Sequence, residues 1–144
     1  MKELIILLLL IPSFCISQSQ EGVITENISV GQFFDEENNS SFSLTKNEGS
    51  YNLCFFNTIT KSSKCLLFYE PEISMFSIFD FGLNFFESSE LTFSKDLEMP
   101  QYIITITKSG NFINLKIWDR HSRSLAVTSL ISKDNWKRLF GKPE

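Results

Sequence analysis

The sequence predicts an α+β domain, an antiparallel meander of hairpins with a central helix and a C-terminal helix packed on one face. Three observations carry this. Apolar and polar residues alternate through most of the chain, the period lengthens to three or four over residues 71–88, and residues 132–141 read as a capped amphipathic helix. Short connections make neighbouring strands antiparallel, and the helices need a sheet face to cover. A β-sandwich with one peripheral helix is the alternative if residues 71–88 are extended.

Residues 1–17 read as a secretory leader. Met1-Lys2-Glu3 is a charged start, Leu4 to Ile11 is an unbroken apolar run, and Pro12 and Ser13 break it before Cys15-Ile16-Ser17. A bilayer span takes roughly 20 apolar residues, more than this run supplies. The expectation is export to the secreted or periplasmic space, with cleavage near Gln18 and no transmembrane anchor afterwards. Lipidation at Cys15 competes, but Phe14 stands where bacterial lipoprotein signals carry a small residue. An uncleaved anchor is the third reading, against which the polar run 17–21 counts.

Removing 17 of 144 residues leaves 127, the length of one domain over residues 18–144. Lys2 and Glu3 leave together, so the net charge stays −4. That balance argues against nucleic acid as a partner, since such proteins carry a basic face. The core material is unusual, with 15 Phe and a single Ala, Ala126.

Residues 22–30 read as an edge strand, and residues 35–41 as a mobile acidic loop. Ser41-Phe42-Ser43-Leu44-Thr45 alternates as a half-buried strand does, and residues 46–49 form a turn. Tyr51, Leu53 and Phe55 share one face of the next strand. A turn at Lys61-Ser62-Ser63 follows, then an apolar run, residues 65–69, suited to burial on both faces. Ser74, Ser77, Asp80, Asn84 and Glu87 make one polar stripe on the central helix, where Gly82 costs about 1 kcal/mol against Ala.

After a short strand, residues 91–94, comes the clearest hairpin. A two-residue turn at Ser109-Gly110 sets Ile106 opposite Ile113, Ile104 opposite Leu115 and Tyr102 opposite Ile117, all on one face. Thr105, Lys116 and Trp118 fall on the other. Pairing Asp119 with Arg123 then places Leu125 and Val127 on the core face of a returning strand, residues 124–131. In the last helix Ser132 is the N-cap, Ile131 and Trp136 form a hydrophobic staple, and Gly141 ends it. No internal repeat or linker is visible.

With Cys15 removed, Cys54 and Cys65 remain, and an even count in an exported chain favours a disulfide. A tight turn at Lys61-Ser62-Ser63 would instead set Cys54 beside Glu70, so the bridge requires a wider loop or partners on different strands.

No catalytic or cofactor motif is present, and one His excludes a multi-His metal site within one chain. Residues 35–41 lack the spacing of a calcium loop. Residues 119–123 hold the single His and two of the three Arg. Arg120 and Arg123 could cradle an anion with His121 beside them, and Trp118 is a natural anchor; a plain solvated turn is the simpler reading. The Phe-rich helix could line an apolar pocket, though Phe at helical spacing is usually core. Asn27, Asn38 and Asn39 head glycosylation patterns that matter only in a eukaryotic secretory pathway. The expected function is a non-catalytic exported module that binds a protein or an apolar small ligand, without cofactor or metal. A hydrolase using dispersed carboxylates is the alternative. The oligomeric state is left open.

Overall fold

Four strands start the structure, and each buries every second side chain because the sequence alternates. They are β1 (Ile28–Asp35), β2 (Ser40–Asn47), β3 (Ser50–Asn57) and β4 (Ser62–Phe68), paired antiparallel in chain order. The computed structural model describes residues 26–143, so the predicted leader, Cys15, the expected cleavage site and residues 22–25 lie outside the described residues. Helix α1 (Glu72–Glu87) follows. A second antiparallel sheet holds β5 (Thr92–Glu98), β6 (Tyr102–Ser109), β7 (Phe112–Asp119), β8 (Ser124–Val127) and β9 (Ile131–Ser132), the last two both on β7. Helix α2 (Lys133–Leu139) closes the chain. The α+β fold with a central and a C-terminal helix is thus observed, and α1 divides the meander into two sheets.

The apolar faces of both sheets meet the helices in one interior. Leu44, Leu53 and Phe68 reach it from the first sheet, Ile104 and Leu115 from the second, and Met75, Ile78, Trp136, Leu139 and Phe140 from the helices. Gly82 marks where the helices touch. A Cβ there would lie 2.4 Å from Trp136 Cζ2. The notch lets the fully buried indole approach α1, where its N–H donates to the Phe79 carbonyl at 3.0 Å. The weak helix former at position 82 is therefore a packing requirement.

Helix α2 begins and ends as its sequence dictates. The Ser132 hydroxyl accepts the Asn135 N–H at 3.2 Å, and Ile131 and Trp136 are both fully buried. At the other end Lys142 N–H bonds the Lys137 carbonyl at 2.9 Å and Gly141 N–H the Arg138 carbonyl at 3.1 Å, a Schellman pair. That end rests on β1. A Cβ on Gly31 would come within 1.9 Å of the Arg138 carbonyl oxygen, beside a bulge between Ser29 and Gly31.

Several registers differ from expectation. The β6–β7 turn is Gly110-Asn111, because Ser109 pairs with Phe112. Ile106 therefore faces Leu115 and Ile104 faces Ile117, two residues from the predicted partners. An even slip preserves the face, and all of these side chains are buried. The β7–β8 slip is odd. Asp119 pairs with Ser124, so Ala126 rather than Leu125 or Val127 meets Ile117 on the core face. Leu125 turns outward with Trp118. The returning strand also breaks. Between Lys116↔Val127 and Ile113↔Ile131 the 128–130 side carries one residue more than its partner, a bulge. The β3–β4 loop is residues 58–61, not 61–63, since Asn57 pairs with Ser62. Cys54 and Cys65 are then direct cross-strand partners at disulfide distance, 2.05 Å between sulfurs. They sit on the outer face of the first sheet, where Cys65 and Leu67 are exposed, so β4 is buried on one face only. The strand expected at 91–94 extends to Glu98 as an edge strand.

Candidate functional site

Asp119 organises the turn that holds Arg120, His121 and Arg123. Its Oδ1 accepts the N–H of His121 at 2.8 Å and of Ser122 at 3.2 Å. Partial burial works against the Asp119 charge, but the bonds from Ser122 and His121 outweigh it and hold the carboxyl below its usual value. Arg120 leaves this turn to meet Glu98, Nη2 to Oε2 at 3.1 Å. His121 and Arg123 are exposed, and Arg123 closes the loop at φ +50°. Of the two cations of the predicted cradle, Arg120 is thus paired with β5 and Arg123 is exposed.

The ladders place Trp118 in an unforeseen row. Glu98 pairs with Ile103, Ile103 with Trp118 and Trp118 with Leu125 across four strands. Trp118 is 39 % exposed and Leu125 41 %. The next row is polar: Asp96, Thr105 and Lys116 in register, with Thr105 Oγ1 donating to Asp96 Oδ1 at 2.6 Å. So the helix-free face of the second sheet carries an apolar strip, and the turn with Arg120, His121 and Arg123 borders it.

A second region comes from elements far apart in sequence. Asp35, 9 % exposed, accepts the Ser129 hydroxyl at 2.7 Å and the Asn38 amide at 2.8 Å on Oδ2. Burial raises its carboxyl pKa, but the hydrogen bonds from Ser129, Asn38 and Glu37 prevail and hold it low. Asn57 does the parallel work on β3, where its Oδ1 accepts the N–H of Val127 at 3.1 Å and of Ile59 at 3.2 Å. Thr58 N–H returns a bond to the Val127 carbonyl at 2.9 Å. Thr128 fills the bulge, its hydroxyl accepting the Leu115 N–H at 3.0 Å. The tips of β1–β2 and β3–β4 are thus bonded onto the break between β8 and β9. Residues 35–41, expected as a mobile acidic loop, form part of this joint, and the Asp35 carboxylate is spent on serine and amide donors.

Clefts open on the surface of the described residues. One of about 410 Å³ lies between β1, the start of β7 and α2, and one of about 290 Å³ continues it past Ser129. Another, about 210 Å³, is lined by Glu70, Ser74, Ser77 and Glu98. The void in the apolar core is about 10 Å³, less than an organic ligand requires. Among the described residues no group of three or more His, Cys, Asp or Glu could hold a metal, and no helix is long and apolar enough to cross a membrane. Comparison with protein-family models, curated proteins and solved structures finds no match to this chain.

Proposed function

We propose that this chain is an exported, non-catalytic recognition module that docks on a protein partner through the Trp118 face. The observation that carries the reading is the cross-strand strip Ile103–Trp118–Leu125 on the helix-free side of the second sheet. An exposed Trp at the centre of an apolar strip, rimmed by Arg, has the composition of an interface anchor. Arg123, His121 and Lys116 supply the rim, with Arg120 held beside them by Glu98, so the matching surface presents an apolar knob flanked by carboxylates. A protein is favoured over an apolar small ligand because the core void is too small for one. The leader sequence and the Cys54–Cys65 pair support export into an oxidising compartment, where the two thiols are joined.

A photo-crosslinking residue at Trp118 in the native host gives a discrete protein adduct, and Leu125→Glu abolishes it. The same residue at Ser43, on the outer face of the first sheet, gives none. Equal labelling at both positions, or none at Trp118, refutes the reading. Mass spectrometry of the host protein finds a mature N-terminus near Gln18, and intact Met1 protein in the cytoplasm refutes export.

The cleft of Glu70 and Glu98 gives the hydrolase reading a foothold. Against it, the Glu98 side chain is 75 % exposed and already ion-paired with Arg120. Glycosidase activity lost in Glu70→Gln would restore that reading.

A further inference from the structure

We infer that the groove between the two sheets is a second binding site, distinct from the Trp118 face, for an extended peptide segment that sets a large apolar side chain beside a Lys or Arg. The larger cleft is lined by Phe33, Phe34 and Asp35 in succession. Adjacent strand residues point to opposite faces, so a cavity that touches all three runs along the strand's edge. Among the described residues β1 pairs only with β2, and beyond Gly31, where α2 rests on it, no strand of the described residues covers its other side. An edge groove of this kind suits a segment that lies extended along the strand.

The walls fix the side chains. Phe34, Phe112 and Leu130 come from three separate elements, are 56, 43 and 50 % exposed, and line the one cleft. Together they form an apolar seat for one large side chain. Glu36 and Glu37 stand beside it, exposed, and with Asp35 they outnumber the one cation that lines the same cleft, Arg138. The net negative charge of this lining calls for a cation next to the apolar residue. Glu37 and Leu130 also line the smaller cleft, so the groove is continuous past Ser129 and longer than a single side chain needs. The Asp35–Ser129 bond beneath it holds the two walls in place. Phe112 and Trp118 are six residues apart on one strand, about 20 Å, so the two surfaces can be tested separately.

The test is backbone-amide NMR of the full chain, titrated with three capped eight-residue peptides of Ser and Thr. The first carries a central Leu-Arg pair, the second Leu-Glu and the third Ser-Arg. The first binds saturably, with shifts centred on Phe34, Phe112 and Leu130, and the other two bind about tenfold more weakly. Phe34→Ser weakens the first about tenfold. Glu36→Lys combined with Glu37→Lys reverses the preference between Leu-Arg and Leu-Glu, and Trp118→Ser changes nothing. The groove site is overturned if the Leu-Arg peptide fails to bind at about 1 mM. It is equally overturned if all three bind alike, or if the shifts gather around Trp118.

Discussion

At Asp35 and at Asp119 a strand ends on an aspartate whose carboxylate accepts backbone N–H groups further along the chain. Four loop residues follow in each case, the last left-handed, Asn39 at φ +47° and Arg123 at φ +50°, and a serine opens the next strand. Locally the two hairpins are one device. Asp35, however, meets Ser129 from the opposite sheet, whereas the bonds of Asp119 to His121 and Ser122 stay inside its own loop. The same turn chemistry therefore yields a structural joint where another element stands opposite and a free rim where none does.

Truncation should break the likeness most. Asp35→Ala removes a buried carboxylate and strands the Ser129 hydroxyl, and is expected to cost about 3 kcal/mol in urea melts. Asp119→Ala loses only turn bonds and is expected to cost about 1 kcal/mol. Equal costs would mean that the joint contributes nothing beyond its turn.

Acid should separate them next. Both carboxyls lie below the ordinary value of 3.8 in the folded chain. The stability each contributes is present above that value and is lost as pH falls through the folded one. Asp119 is more exposed, so solvent screening leaves its share small. Asp35→Asn should flatten most of the stability decline below about pH 4, and Asp119→Asn little of it. At the alkaline end, burial first and the Asp119 charge second push Tyr102 up to about 12. Its hydroxyl donates to the Leu67 carbonyl at 2.8 Å, a second tie between the sheets. That contribution is complete below about pH 10 and is lost as pH rises towards 12. Tyr102→Phe should remove this alkaline step.

The smallest effect concerns the left-handed residues. Arg pays for φ +50° more than Asn does at φ +47°. Arg123→Gly should therefore stabilise by about 0.5–1 kcal/mol, and Asn39→Gly by less. Arg123→Gly should also weaken partner docking while raising the melting point, which separates the rim's role in recognition from its role in folding.

Much of this was legible in the chain. Ser132, Ile131, Trp136 and Gly141 specify α2 because capping is local chemistry. The core face of β6 and β7 survived a misplaced turn because the error was even. The odd error at β8 could have been avoided. Asp35, Asn57 and Asp119 each precede four residues and a serine, Ser40, Ser62 and Ser124. Reading that spacing as one recurrent loop gives all three registers, including Cys54 opposite Cys65. Gly82 was visible as a poor helix former, but its reason is the Trp136 indole, 54 residues away. The bulge at Thr128 and the groove beside Phe34 were not legible. They arise only where two sheets meet, and no periodicity records which strand edge faces which.

Native-state hydrogen exchange tests the joint most directly. The amides of Val127, bonded to Asn57 across the seam, and of Leu115, bonded to Thr128 in the bulge at its edge, should exchange only through global unfolding. Those of His121 and Ser122, bonded only to Asp119, should exchange by local opening at a far lower free energy. If Val127 exchanges as readily as His121, the seam is not a joint, and the distinction between the two hairpins fails.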